Sequence, residues 1–451
     1  MSETLRSVGL DVGTTSTQMI LSELKIENRA SAFAVPEMEI ADRKILYKSD
    51  VHFTPLLGED LVDADALRRL VEEEYRRAGI ARETVDTGAI IITGETSRKE
   101  NAATVLGELS GFAGDFVVAT AGPDLESVLA AKGAGAVARS RDTGETLLHM
   151  DIGGGTANLA LVHNGGIIAT GCLNVGGRLI KFDENHIITY VSPVLAGLCP
   201  LSPGDTATPE TSESLAEILV QALEMAAGLR GITPLLARLT TPGTAMDPPT
   251  GPVTLSFSGG VADCIDTVHP WDAFGDLGPI LGRAIRRSRL CSGNYLLGRE
   301  TIRATVIGAG CHSAQLSGST VFLRNVPLPL KNLPVICPHD HRSLGVFLGR
   351  ELAKQEGPAV IALPGLPVRG YTGIQTLAAQ LAEAIPTGPV LICLEQDIAK
   401  ALGQCLALRL TPDRPILCID RVRLTGESYL DIGSPTGPAL PVVVKTLILN
   451  R

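Results

Sequence analysis

Two short stretches of the chain share one grammar: "GLDVGTTSTQ" from residue 9 and "HMDIGGGTANL" from residue 149. Each ends an apolar run on an aspartate, turns through glycine, and passes hydroxyl residues into a second apolar run. The aspartates, Asp11 and Asp151, stand 140 residues apart. Read alone, such a turn has two uses. Its glycines let a hairpin bend, or they let backbone N–H groups close on an anion. Two copies constrain the fold more than one does. Each opens a segment that reads strand, Asp-x-Gly turn, strand, strand, which predicts a duplicated domain with a cleft between the copies.

The rest of the pattern fits α/β layers. "SVGLDVG", "STQMILSELKI" and "KILYKSDVHFTPL" read as three strands. Residues 63–79 have helical spacing, with Leu67, Leu70, Val71 and Tyr75 on one face and Gly79 as the stop. "TGAIIITGE" is a buried strand, "TSRKENAATVLGELSGF" a helix capped by Thr96 or Ser97, and "DFVVATAGP" with "DLESVLAAKGAGAVARS" a further strand and helix. From residue 146 the order restarts with the strands "TLLHMDIG", "ANLALVHNG" and "GIIATGCLNVGG". The helix "SESLAEILVQALEMAAG", the strand "VTLSFSGG" and a strand over "RATVIGAG" with a helix beyond it complete the second half. From about 325 the chain changes character, with short apolar strands such as "GPVLICLEQD" among helices such as "TGIQTLAAQLAEAI". The expected division is therefore 1–145, 146–324 and a C-terminal α/β domain at 325–451.

Composition excludes several classes. At 451 residues and 45% apolar the chain is globular, and 48 glycines with 4% aromatics suit tightly packed layers. A net charge of −10 leaves no basic face for nucleic acid. The densest basic stretch, "GRAIRRSRLCSG" at 282–293, reads as a solvated helix face. Nine cysteines contain no CxxC pair; Cys172, Cys264, Cys311, Cys393 and Cys418 have apolar or glycine-rich neighbours, as reduced buried thiols do. No apolar run approaches the roughly 18 residues of a membrane span. A soluble, cytoplasmic protein is expected.

A phosphate clamp satisfies the physics of the two turns. Gly13 and Gly153, Gly154 and Gly155 would bring N–H groups close to phosphate oxygens, and Thr14, Thr15 and Thr156 would add hydroxyl donors. Asp11 and Asp151 would repel phosphate, so they make sense with a cation between; hydrated Mg²⁺ held by one or two carboxylates fits. A dinucleotide fold or P-loop does not, since no GxGxxG opens a helix in the first βα unit and no GxxxxGK[ST] occurs.

The pair resembles the two phosphate motifs of the actin-like ATPase superfamily, which includes sugar kinases and heat-shock chaperones. "LSFSGGVADCI" at 255–265 is similar to its adenosine motif, and "IITGETSRKENAATVL" and "ATVIGAGCHSAQLSG" stand in the places of its two connecting segments. The resemblance implies duplicated ribonuclease H-like domains around a nucleotide cleft, with ATP and Mg²⁺ as cofactors. "GLDVGTTSTQMILSEL", "ITGETSRKENA", "HMDIGGGTANLAL" and "YLDIGSP…LPVVVKTL" carry a closer resemblance, to the EutA family of ethanolamine ammonia-lyase reactivating factors, over essentially the whole chain. That implies an ATP-dependent, chaperone-like partner of an adenosylcobalamin lyase. It would release damaged cobalamin so that intact cofactor can enter, in a cytoplasm that holds ethanolamine-utilisation microcompartments. A homo-oligomer is allowed; nucleic acid and membrane are not expected partners.

By motif, the resemblance implies that Asp11 and Asp151 position Mg²⁺ through water. Gly13, Thr14, Thr15, Gly153, Gly154, Gly155 and Thr156 would hold the phosphates, and Gly259 and Gly260 flank the adenine. Glu95 would orient the attacking water; its alternative is a helix-N-terminal carboxylate favoured by the dipole. Some superfamily members carry a lysine in the first turn, where this chain has Ser16 and Gln18. Slow turnover would follow. "CPHDHR", with Cys337, His339 and His341, lacks the second ligand cluster that a tetrahedral metal site needs. "YLDIGSP" lacks the glycine run and reads as a structural hairpin, and Trp271 reads as an anchor for its loop. A small-molecule kinase and a nucleotide-binding scaffold of the same fold are the alternatives. An activase of iron–sulfur dehydratases is disfavoured, because the cysteines do not form a cluster pattern.

Overall fold

A computed structural model describes residues 3–13, 16–28, 38–57, 61–93, 101, 105, 117–120, 123–298, 301, 303–312, 314–316, 321–338, 344–352, 357–363, 368, 370–422, 428–433, 435 and 440–446. The expected helix with Thr96 or Ser97 as its cap, and His339 and His341, lie outside these residues.

The first sheet contains β1 (Glu3–Val12), β2 (Ser16–Asn28), β3 (Met38–Lys48), β4 (His52–Phe53), β5 (Thr87–Ile92) and β6 (Val117–Thr120). Its order is β3-β2-β1-β5-β6, with β4 on β2; β1, β2 and β3 are antiparallel neighbours, while β5 and β6 run parallel to β1. The second sheet contains β7 (Leu147–Ile152), β8 (Ala157–His163) and β9 (Gly166–Leu173). Past the small β10 (Ile180–Phe182) and β11 (Ile188–Val191) pair, it adds β12 (Thr254–Ser258) and β13 (Tyr295–Leu297). Read from β9, the order is β9-β8-β7-β12-β13, again an antiparallel meander followed by two parallel strands. The duplication extends to register. Asp11 faces Gln18 and Val12 faces Thr17; Asp151 faces Asn158 and Ile152 faces Ala157, a constant offset of 140 residues.

Local chemistry explains the elements. Helix α1 (Ala64–Ala78) starts where the Asp63 carboxylate accepts from the Ala66 N–H at 2.9 Å and stops at Gly79, whose φ of 66° a residue with a side chain seldom adopts. Strand β7 is buried at all six positions, as a central strand covered on both faces must be. Its core partners include Phe257 of β12 and Leu215, Leu219 and Leu223 of α4 (Pro209–Ala226), a helix whose first turn is closed by a Thr208–Thr211 capping box. Burying one such large apolar side chain stabilises the fold by roughly 1.5–3 kcal/mol.

Two helices connect the sheets. Helix α2 (Pro123–Gly133) follows β6, is joined by α3 (Ala136–Thr143), and packs on β7, β8 and β9. The short α5 (Pro234–Leu239) and α6 (Asp263–Asp266) and the longer α7 (Gly278–Arg287) belong to the second half. Helix α8 (Ala304–His312) then returns to pack on β1, β2 and β5 and crosses α2. The crossing is backbone to backbone: a methyl group on Gly308 would overlap the Leu129 carbonyl, and one on Gly133 would overlap that of Ala304. This corrects the expectation of a strand over "RATVIGAG": Ala304–His312 is helical. A short apolar run of small residues does not distinguish buried strand from buried helix by periodicity. Here the glycines let one helix lie on another.

The third sheet has the order β14-β21-β20-β16-β17-β18-β19-β15. It opens with β14 (Ala314–Leu316) and β15 (Phe322–Arg324), ahead of residue 325, and continues through β16 (Leu330–Ile336), β17 (Val360–Leu363), β18 (Val390–Leu394) and β19 (Ile416–Ile419). Strands β16 to β19 are parallel, linked by α9 (Leu344–Leu352), α10 (Gly370–Ala384) and α11 (Ala399–Ala407), which share a core with Ile361, Ile392 and Cys418. The stretch read as a structural hairpin enters β20 (Ser428–Ile432), which pairs antiparallel with β21 (Pro441–Thr446).

Other expectations match. Arg286 and Arg287 end α7 exposed and reach Asp266 and Glu213 at 3.3 and 3.4 Å, the solvated face expected there. Trp271 packs on Phe182 and His186, with ring centroids 5.2 and 4.7 Å away, at the edge of the second core. Cys172, Cys264, Cys393 and Cys418 are buried free thiols. Among the described residues, no helix is long and apolar enough to cross a membrane.

Candidate functional site

The two glycine turns lie at equivalent ends of β1 and β7, and they close in the same way. Gly13 donates its N–H to the Ser16 carbonyl at 2.9 Å, and Gly153 donates to the Thr156 carbonyl at 2.9 Å. The first turn is braced by Thr54, whose hydroxyl donates to the Gly13 carbonyl at 2.8 Å and lies 3.1 Å from that of Thr17. The second is braced by "NVGGR": Gly177 and Arg178 donate N–H groups to the carbonyls of Gly153 and Gly154 at 3.0 and 2.6 Å. Gly176 packs so closely that a Cβ there would overlap the Gly154 backbone. At Gly155 nothing lies within 4 Å of where a Cβ would stand. The turn is clamped from behind and open in front.

Each aspartate takes a hydroxyl from a strand or loop beside it. Thr93, just past β5, donates to Asp11 Oδ1 at 2.8 Å. Ser258, at the end of β12, donates to Asp151 Oδ1 at 2.5 Å, and Thr305 in the first turn of α8 donates to Oδ2 at 3.3 Å. Thr305 therefore ties a helix packed on the first sheet to the aspartate of the second. Behind Ser258 lies His149, fully buried, with Nε2 2.9 Å from the Ser258 oxygen and Nδ1 3.0 Å from that of Ser256. Because the Ser258 proton goes to Asp151, this network assigns the His149 proton to Nε2, with Ser256 donating to Nδ1. Burial pushes the His149 imidazole down to about 3, so it stays neutral.

A third carboxylate joins them. Glu126 of α2 is buried and accepts from the Asn158 amide at 2.8 Å; Asn158 is the ladder partner of Asp151. Asp11 keeps partial exposure to the cleft but is otherwise enclosed by protein. That enclosure raises its carboxyl to about 7, against the Thr93 hydrogen bond, with the charges of Glu126 and Asp151 raising it further. Burial likewise raises Asp151 to about 6, against the donors Ser258 and Thr305. Enclosed carboxylates that resist ionisation are groups that a bound hard cation would relieve. Among the described residues, no three His, Cys, Asp or Glu side chains converge on a metal position.

Of the residues expected from sequence, Asp11, Gly13, Asp151, Gly153, Gly154, Gly155 and Thr156 fall on these two turns. Thr14, Thr15 and Glu95 lie outside the described residues. Gly259, with φ +88°, lies against the Ile152 backbone, where a Cβ would overlap; Gly260 follows at the same end of β12. Sequence reasoning missed Thr93, Glu126, His149, Ser258 and Thr305. A faint signal existed for two: His149 precedes Asp151 by two positions and so shares its strand face, and Ser258 directly precedes the glycine pair.

Two sheets of one topology, joined by crossing helices, with an aspartate turn at the same place in each, define a duplicated actin-like ATPase fold carrying an additional C-terminal α/β sheet. A family model described as "Ethanolamine utilisation protein EutA" matches residues 3–450, and the chain belongs to that family. The "Ethanolamine ammonia-lyase reactivase EutA" of Salmonella typhimurium is 40% identical over 466 aligned positions, covering 98% of each chain. Its counterpart in Escherichia coli K12 is 39% identical over 469, again covering 98% of each. Among solved structures, a Ppx/GppA family member from Aquifex aeolicus has TM-score 0.43 and 13% identity, covering 68% of this chain and 97% of its own. The ethanolamine utilization protein EutJ of Carboxydothermus hydrogenoformans has TM-score 0.34 and 17% identity, covering 67% and 88%.

Proposed function

We propose that this chain reactivates ethanolamine ammonia-lyase, using Mg-ATP bound between its two halves to drive exchange of damaged for intact cobalamin on the lyase. The observation that carries the nucleotide part is the pair of aspartate turns, matched in register, closing bond and hydroxyl partner. The lyase as partner rests on relatives of about 40% identity along nearly the full length. Residues 1–145 and 146–324 form the jaws and the C-terminal domain follows from 325, with β14 and β15 lending strands to its sheet.

In this reading Asp11 and Asp151 hold the waters of Mg²⁺, which would offset phosphate charge when bound. The backbone of Gly13 and Gly153 to Gly155, with Thr14, Thr15 and Thr156, holds the phosphates, and Gly259 and Gly260 border the adenine. Glu95 and Glu126 are the acids proposed to orient the attacking water; Glu126 earns its place by its burial near Asp11. Ser258, Thr93 and Thr305 fix the carboxylates in place, which saves reorganisation when charge moves. The setting is the cytoplasm, at an ethanolamine-utilisation microcompartment.

The test is restoration of lyase activity after suicide inactivation, with and without this protein, ATP, Mg²⁺ and fresh adenosylcobalamin. Rescue that needs all components supports the reading, and Asp151→Ala should abolish it while the fold persists. No rescue and no released cobalamin with the unsubstituted chain would sink it.

A further inference from the structure

The charged groups identified around the two turns are acidic: Asp11, Asp151 and Glu126. A nucleoside triphosphate brings about four more negative charges near pH 7, and one divalent ion offsets only part of that sum. A clamp with these walls calls for a basic side chain, and the first turn offers Ser16 and buried Gln18 instead.

Arg178 occupies the required place. Its backbone N–H is bonded to the Gly154 carbonyl of the second turn. Its guanidinium lies 5.9 Å from the ring centroid of Phe53, and Phe53 is the ladder partner of Ser16, at the exit of the first turn. The side chain thus starts on one jaw and ends beside the other. It is 28% exposed, and its Nε donates to Asp276 Oδ2 at 3.2 Å. Among the described residues, neither terminal nitrogen of Arg178 has a hydrogen-bond partner. Asp276 is itself committed, accepting the Gly278 N–H at 2.7 Å through its other oxygen. Phe53 is 78% exposed, so apolar burial does not explain its position. A guanidinium held by Nε alone, against an aromatic face, keeps its two-nitrogen edge available to an anion.

We propose that Arg178 binds the β- and γ-phosphates of the nucleotide, with Asp276 and Phe53 holding it ready from either side of the cleft. The assignment rests on the nucleotide reading above and adds its specificity: Arg178 selects triphosphate over monophosphate and makes both jaws sense the same group.

Calorimetric titration of the full chain with ATP, ADP and AMP in Mg²⁺, for the unsubstituted protein, Arg178→Ala, Arg178→Lys and Asp276→Asn, tests this. Arg178→Ala is expected to weaken ATP binding tenfold to a hundredfold, the loss of a charge-assisted pair, while AMP binding changes less than twofold. Arg178→Lys should fall between, because it keeps charge without the fork. Asp276→Asn removes the charge that holds the guanidinium, so it should weaken ATP binding by less than Arg178→Ala does while AMP binding stays within twofold, a pattern that reads the pair even if Arg178→Ala folds poorly. If ATP and AMP weaken equally in Arg178→Ala, or neither weakens, the assignment is overturned while the nucleotide reading stands. Equal weakening of ATP and AMP in Asp276→Asn would likewise make the pair structural and overturn the assignment. Absence of ATP binding by the unsubstituted chain would remove the nucleotide reading itself, and Arg178 with it.

Discussion

Ser258 donates its hydroxyl proton to Oδ1 of Asp151 across 2.5 Å, from the strand that runs parallel beside it. The two are 107 residues apart in sequence. This bond opposes the effect of burial on Asp151, and it is supported from behind by neutral His149. Removing the hydroxyl leaves a buried carboxylate short of a donor and an imidazole N–H short of an acceptor.

Ser258→Ala is therefore expected to weaken Mg²⁺-dependent ATP binding by roughly tenfold to a hundredfold, from a hydrogen bond to a charged group worth about 1.5–3 kcal/mol. The melting temperature should fall as well, because buried polar groups lose partners. Titrations at several Mg²⁺ concentrations check the first point. An unchanged Mg²⁺ requirement would mean that Ser258 supports the strand and not the carboxylate's task.

Gly155 and Gly176 separate binding from folding. At Gly155 an added methyl meets open space, so Gly155→Ala should leave the melting temperature within about a degree while obstructing the phosphate. At Gly176 the same methyl overlaps the Gly154 backbone, so Gly176→Ala should destabilise by about 1–3 kcal/mol, as overpacking does. Melting curves and nucleotide titrations on both variants decide. If Gly155→Ala binds ATP normally, the open face of the turn is not where phosphate sits.

Asp11 and Asp151 set a pH dependence whose sign is fixed. Their native pKa values, about 7 and about 6, lie above the ordinary 3.8, so the folded protein keeps protons that the unfolded chain releases. Their contribution to stability is complete below about pH 4 and is lost as pH rises through 6 and 7. Metal-free protein should melt lower at pH 8 than at pH 5, and Asp11→Asn should flatten the decline by an amount on the order of 1–4 kcal/mol. A decline unaffected by Asp11→Asn would assign it to other groups.

The α2–α8 crossing offers a test of opposite sign to helix propensity. In an ordinary helix, Gly308→Ala gains about 1 kcal/mol. Here the methyl would overlap the Leu129 carbonyl, and forcing the helices apart disturbs Thr305 and its bond to Asp151 as well. Net destabilisation and weaker ATP binding are expected together. A more stable Gly308→Ala protein would show that the helices do not touch there.

Much of the fold was legible because its signals are local. Asp63 and Gly79 mark the two ends of α1 by cap chemistry alone. The strand–turn–strand grammar around Asp11 and Asp151 needs only period-two patterning and glycine. The stretch after Thr301 was misread because Val306, Ile307 and their small neighbours suit a buried strand as well as a buried helix. The arbiter was Leu129, a residue from a distant helix.

The sequence by itself determined that there are two aspartate turns, that each sits between strands, and that they are copies. That information lies within a few residues of each glycine. Tertiary structure decided which groups complete the site: Thr93 for Asp11, Ser258 and Thr305 for Asp151, Glu126 on Asn158 with its charge felt at Asp11, and Arg178 reaching toward Phe53. Those partners come from parallel neighbours and crossing helices, whose separation along the chain carries no periodic signal. Hydroxyls and carboxylates acquire these roles only when sheet order brings them within 3 Å or so of one another and takes the water away.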